Sequence, residues 1–305
     1  MDIGLLITQS LNGIQFGVLL FLVAAGLTLV LGIMDLVNLA HGSLYMMGAY
    51  FGSTFYQWTG SFFLALVLAL PTAFLFGILV ERLVIRQLYT RSYLEQVLAT
   101  FGLILFFNEF VNITWGAAPR LIDVPPLFQG TVSLLPGVTY PTYRLFIIAV
   151  GLLAAIALYW LVTRTRAGML IRAGASNRTM VAALGINIDR LFMFVFGFGA
   201  ALAALAGVVI APITSVQPGM GDNMLTLALV VLVLGGIGSI RGAFIAALLV
   251  GLVDTIGKSF VPDLLKLFLS ASVATDIGPA LASMLIYIFM AAVLFFSPRG
   301  LFRGG

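Results

Sequence analysis

Few residues in this chain have side chains able to carry chemistry. His41 is the sole histidine, and cysteine is absent. That removes thiolate nucleophiles, disulfides, thiolate metal sites and any His pair within one chain. No Ser–His arrangement, paired carboxylates or metal-ligand cluster can be assembled from what remains. The sequence therefore predicts no catalytic residue, no metal and no cofactor. Gly257-Lys258-Ser259 ends like a phosphate-binding loop. Such a loop needs four residues between its glycines and a preceding strand. Here five residues separate Gly251 from Gly257, inside an apolar run. The chain is not expected to bind ATP itself.

What remains is a handful of polar residues embedded in apolar sequence. Gly32 to Gly42 sets Asp35, Asn38 and His41 between two apolar stretches. One reading is a tight hairpin with Gly42 at the turn. The other is a break in a membrane helix, tolerated at depth only beside protein or water. A second break, Gly235 to Gly242, holds four glycines in eight residues. Each glycine costs a helix roughly 1 kcal/mol. Glycine-interrupted segments in both halves of a transporter point to its translocation site. Close helix packing is the compatible plain reading, since Gly238-x-x-x-Gly242 and Gly48-x-x-x-Gly52 fit the small-residue packing motif. Glu109 and Asp254 lie in or near apolar segments, where an ionisable group is a functional candidate by default. Placement near helix ends, with interfacial water, is the alternative.

The elements that position these residues follow from composition. Of 305 residues, 62% are hydrophobic and 9% charged, with a mean hydropathy of +1.16. A soluble domain averages roughly 25% charged residues, so no water-facing surface can be built here. Spans of about 20 apolar residues occur at Leu11–Met34, Ser43–Trp58, Phe62–Val80, Gln96–Trp115, Leu145–Val162, Leu191–Ile213, Met224–Ile240, Gly242–Ile256 and Ile277–Phe296. The second, seventh and eighth are short and border glycine-rich or polar breaks. The expected fold is all-α: one transmembrane domain over residues 1–305, a helical bundle of eight to nine membrane segments with broken or short helices. Asp2 precedes the first apolar run with no basic residue before it, so this run reads as a retained span.

Eleven of the fifteen basic residues fall on one side of this topology, among them Arg82, Arg86, Arg91, Arg164, Arg166, Arg172, Arg178, Arg190, Arg241, Arg299 and Arg303. Arg120, Arg144, Lys258 and Lys266 fall on the other. The positive-inside rule makes the first side cytoplasmic, with the N-terminus outside and the C-terminus inside. The net charge of +4 is explained in this way, without nucleic acid. Residues 116–144, with five prolines including Pro136, read as an extended outer loop. Residues 163–190 read as a basic cytoplasmic loop with one or two short helices.

Three blocks carry a family resemblance. Asn38-Leu39-Ala40-His41-Gly42 followed by Met46-Met47-Gly48-Ala49-Tyr50 is the first. Arg164 to Gly168, then Ile171-Arg172-Ala173 and Ala183-Leu184-Gly185-Ile186-Asn187, is the second. Val233 to Ser239, continued by Gly242, is the third. In this order, over nearly the whole chain, they resemble the permeases of branched-chain amino acid ABC importers. The resemblance implies an inner-membrane permease for leucine, isoleucine and valine, working by alternating access. It implies a second homologous permease subunit, two cytoplasmic ATPase subunits and a periplasmic substrate-binding protein as partners, all around a lipid bilayer. Similar permeases carry urea or short amides, and a stand-alone secondary transporter or channel using Glu109 or Asp254 is the reading from another class.

On this footing Asn38, His41, Gly42, Gly235, Gly236 and Gly238 are expected at the translocation pathway. Gly168, Arg172, Ala173, Ala183, Leu184 and Gly185 are expected at the ATPase contact. Met169, Leu170, Met180, Val181 and Leu184 are apolar in a segment too polar to span, so they need a surface to bury against. Gly185 follows where the helix should stop.

Overall fold

The structure is a computed structural model describing residues 3–135, 137–298 and 300–302. Asp2, Pro136, Arg299 and Arg303, named above, lie outside the described residues. All nine expected segments are helical, and short helices join them.

In chain order the helices are α1 (Ile3–Met34), α2 (His41–Thr59), α3 (Phe62–Val80), a π-helical turn (Glu81–Ile85), α4 (Arg86–Leu88), α5 (Tyr93–Trp115), α6 (Thr142–Arg164), α7 (Arg166–Ser176), α8 (Arg178–Ala183), α9 (Ile188–Ile210), α10 (Met220–Gly235), α11 (Ile240–Leu265) and α12 (Ala271–Phe296). Among the described residues, seven helical stretches are long and apolar enough to cross a membrane. The two short crossings are α2, of 19 residues, and α10, of 16. The eighth segment, expected short, is instead a full 26-residue helix. The apolar window ended at Ile256, but the helix continues because Asp254 and Lys258, one turn apart, neutralise each other at 2.7 Å.

α1 is apolar on every side, and Val18 to Val30 is buried throughout, as a helix at the centre of a bundle must be. Without a hydrophobic force between helices in lipid, close backbone approach holds the bundle. Gly13 and Gly17 seat α1 on Gly251 and Leu248 of α11, and Gly26 meets Gly199 of α9. Gly48 seats α2 on Ala204 of α9. α12 packs mainly on α11 and exposes most of its side chains.

These contacts fix two faces. One carries the start of α1, the ends of α2, α5 and α9, and a β-hairpin, β1 (Thr131–Leu135) and β2 (Val138–Pro141). There the Tyr140 hydroxyl donates to Asn12 and Arg144 also reaches Asn12. The proline-rich loop is thus more ordered than its composition suggested. The opposite face gathers Arg86 beside Asp189, Arg172 against the Val162 carbonyl, and Arg241 against Tyr159. We call these the hairpin face and the basic face.

Candidate functional site

α2 and α10 are the two shorter crossings, and each begins inside the bundle. After α1 ends, residues 35–38 form no regular structure, 39–40 turn, and α2 begins at His41. A Cβ on Gly26 would meet the His41 ring. Gly26 lies eight residues before the end of α1, about 12 Å inside the basic end at 1.5 Å per residue. α10 starts at equal depth: a Cβ on Gly42 would overlap the Gly221 carbonyl, and one on Gly221 the Gly42 carbonyl. The stretch from Ala211 to Gly219 returns inward from the end of α9 to reach that point. It is pinned by Arg120, which forms an antiparallel bridge with Val216, and by Asn108, which accepts from the Gly219 amide. Two helix N-termini therefore converge inside the bundle. Each carries roughly half a positive charge, and neither is capped by a side chain.

The polar groups around this crossing are short of partners. Asn38 turns the chain by accepting from the Ala40 amide at 3.1 Å, but its Nδ2 is unpaired. His41 is fully buried; the Val23 backbone lies within range of its ring, yet neither ring nitrogen closes a hydrogen bond. The hydroxyls of Thr28, Ser43, Tyr50 and Ser53 are also buried and unpaired. A buried unsatisfied group ordinarily costs about 1–3 kcal/mol.

The expected pathway residues form two separate groups. Asn38, His41 and Gly42 lie at the start of α10; Gly235, Gly236 and Gly238 lie at its end. That separates them by about 20 Å along the helix. Gly235 packs on Gly242, while Gly236 and Gly238 adopt φ of +89° and +82° in the turn into α11. Ser239 then caps α11 by accepting from the Gly242 amide at 3.0 Å. Only Gly238 of the six lines a cleft of about 1020 Å³ that opens on the basic face between α1, α6, α7 and α11. Asp35, Arg172 and Arg241 also line it, with Thr28. Asp35 is the only non-glycine with positive φ (51°) among the described residues.

The loop from residue 163 to 190 folds as two short helices with capped ends. Thr165 accepts from the Gly168 amide to start α7, and Asn177 accepts from the Met180 amide to start α8. Gly168 lets α7 turn tightly beneath α6, since a Cβ there would overlap the carbonyls of Leu161 and Val162. Arg172 donates to that same Val162 carbonyl. Ala173 is half-buried, and Ala183, Leu184 and Gly185 are exposed. Gly185, at φ +83°, closes α8: its amide donates to Ala182, and that of Ile186 to Val181. This is the paired C-terminal cap expected of a left-handed glycine. Met169, Met180 and Leu184 are exposed apolar groups on this surface.

One cluster escaped the sequence reading. Glu81 is fully buried in the π-helical turn and accepts from Arg86 at 3.3 Å and from the Tyr89 hydroxyl at 2.7 Å. Arg86 also reaches Asp189 at 4.0 Å, tying the end of α3 to the start of α9 just beyond the short helices. A carboxylate beside arginines at a span's end looks like ordinary loop charge. The only signal was an acid five residues before Arg86, at the end of an apolar run. Glu109 is exposed on α5, and Asp254 is accounted for by Lys258.

Residues 9–294 match the family described as branched-chain amino acid transport system / permease component. The chain is 32% identical over 269 residues to the high-affinity branched-chain amino acid transport system permease protein LivH of Escherichia coli K12, covering 83% of this chain and 86% of that protein. It is 32% identical over 270 residues to the Pseudomonas aeruginosa permease BraD, covering 85% and 88%. It is 24% identical over 302 residues to a probable LivH of Methanocaldococcus jannaschii, covering 95% and 90%. No solved structure matches. The family match runs from α1 to α12, and relatives above 30% identity cover more than four-fifths of the chain: this chain belongs to the permease family of branched-chain amino acid transport systems.

Proposed function

We propose that this chain is one of two permease subunits of an ABC importer that moves leucine, isoleucine and valine across the inner membrane. The observation that carries the cargo is the likeness to LivH and BraD over more than four-fifths of each chain. A second, homologous permease completes the membrane unit. A binding protein delivers the amino acid at the hairpin face. Two ATPase subunits dock at the basic face, on α7 and α8, and supply the energy that this chain has no site to harvest. With all partner subunits present, membrane vesicles are expected to accumulate labelled leucine and to ignore labelled urea. Urea accumulation without leucine would overturn the cargo.

The sidedness follows from the arginines gathered at the basic face, as the positive-inside rule requires. Single cysteines in this cysteine-free chain test it. Met180 and Leu127 are 59% and 74% exposed. Leu127→Cys is expected to react with an impermeant thiol reagent in intact cells, and Met180→Cys only after the membrane is opened. The reverse pattern would invert the topology.

A further inference from the structure

Arg172, Arg241 and Asp35 line the cleft on the basic face, yet among the described residues none of the three makes an ion pair. Arg241 is held in place without being neutralised: it donates to the Tyr159 hydroxyl at 2.5 Å and lies 5.0 Å over that ring. Arg172 donates to the Val162 carbonyl. A guanidinium has five N–H donors, so both keep donors for another partner. Deeper in the same cleft the Thr28 hydroxyl is buried and unpaired. Thr28 is seven residues before Asp35, about 10 Å further into the bundle at 1.5 Å per residue.

The cleft stands at headgroup level. Tyr159 and Trp160 lie near the basic end of α6, and such aromatic residues mark the boundary between membrane and water. Beyond them, toward the membrane centre, α6 exposes Leu152, Leu153 and Ile156, and α11 exposes Ile245. α6 and α11 scarcely touch each other, so the cleft between them continues into these apolar faces. Its volume of about 1020 Å³ is at the top of the range for small-molecule sites, roughly 300–1,000 Å³. Positive-inside sorting accounts for arginines on this face. It accounts neither for a carboxylate set among them at a left-handed φ of 51° nor for a buried hydroxyl without a partner.

Arginine grips phosphate through parallel N–H bonds, and basic pockets between spans take lipid headgroups. Asp35 would repel a headgroup that is only anionic and would accept from an ammonium. We propose that this cleft binds one phospholipid whose headgroup carries both a phosphodiester and a primary ammonium, a phosphatidylethanolamine of the leaflet on the basic face. Arg241 and Arg172 hold the phosphate, Asp35 accepts from the ammonium, and Thr28 donates to an ester carbonyl beneath. The acyl chains lie along α6 and α11. A choline headgroup, whose nitrogen has no N–H, cannot make the Asp35 contact.

The test uses the chain with its partner subunits in nanodiscs of phosphatidylcholine doped with phosphatidylethanolamine that carries a photoactivatable diazirine near its glycerol. Labelled peptides are mapped by mass spectrometry. Label is expected to concentrate several-fold on residues 152–163 and 237–245 over the exposed faces of α3 and α5. Arg241→Gln should lose most of this excess. Asp35→Asn, a residue that still tolerates positive φ, should keep the label but let phosphatidylglycerol compete as well as phosphatidylethanolamine. Lys266→Gln, which removes a cation paired with Asp263 far from the cleft, should change nothing. In the unaltered chain, unlabelled phosphatidylethanolamine should displace the label at least several-fold better than phosphatidylglycerol does. Even labelling of all faces, or equal competition by the two lipids in the unaltered chain, would overturn the site. Displacement by soluble glycerophosphoethanolamine as effective as by the lipid would overturn the lipid as its occupant. Displacement by leucine would do the same and make the cleft a cargo vestibule.

Discussion

Gly221→Ala is expected to leave little folded permease in the membrane. The added methyl would overlap the Gly42 carbonyl, where two backbones cross with no side chain between them. Inserting one methylene into a packed core ordinarily costs about 1–3 kcal/mol, absorbed by rotamer shifts. Here no rotamer exists to shift. α2 is fixed from behind by Ala204 against Gly48, and the return stretch before α10 by the Arg120–Val216 bridge. The cost should therefore reach the upper end of that range or exceed it, and even about 1–2 kcal/mol changes the folded-to-unfolded ratio 5- to 30-fold. Gly102→Ala is the control. Gly102 sits within α5 with nothing near its missing Cβ, and alanine there should gain up to about 1 kcal/mol of helix propensity. Gel filtration of extracted protein reads both: a monodisperse peak retained for Gly102→Ala and lost for Gly221→Ala. Equal peaks, with equal leucine uptake, would mean that α2 and α10 do not meet as tightly as described.

The second large effect separates assembly from transport. Ala183→Asp and Gly185→Val should both reach the membrane in normal amount and abolish uptake. Ala183 is exposed at the end of α8, so a carboxylate there disturbs nothing inside this chain; only a docked partner would bury it. Gly185 has open space around its missing Cβ, but φ is +83°. Valine there is strained by the backbone alone, by about 1–3 kcal/mol, enough to release the cap without touching the bundle. In the assembled importer, loaded binding protein should no longer stimulate ATP hydrolysis. Normal transport by both variants would show that α7 and α8 do not carry the ATPase contact.

The spans were legible because lipid imposes one rule, about 20 apolar residues per crossing, and the chain obeys it seven times. The two exceptions were legible too, since the breaks at Asn38–Gly42 and after Gly235 carry their own glycines and polar groups. What the sequence did not show is pairing across distance. Gly42 reads as a turn residue until Gly221 is placed against it. Gly221 itself carried no signal: a second glycine two residues after Gly219, behind Pro218, looks like any loop. The length of α11 was hidden by charge, because a composition window counts Asp254 and Lys258 as polar when their ion pair makes them nearly neutral. The β-hairpin was masked by prolines on either side of short runs such as Thr131 to Ser133. The short helices between residues 166 and 183 were the most legible part of the loops. Their caps are local, set by Thr165, Asn177 and Gly185 within a few residues, so the sequence carried all the information required.

The wrapping of α2 by α9 also sets an order of events during synthesis. Gly48 and Gly52 find Ala204 and Val208 only after α3, α5 and α6 have been made. Until then the nascent chain holds a helix whose glycine face is bare and whose polar elbow, Asp35 to His41, has neither protein nor settled water around it. Such a segment has no stable resting place in lipid on its own. The first third of the chain must therefore wait beside the insertion machinery, or lie against chaperoning lipid headgroups, until α9 leaves the ribosome. Quality-control proteases would find their opening in that interval, so substitutions on α9 facing α2 should shorten the life of the newborn chain before they alter anything the finished transporter does.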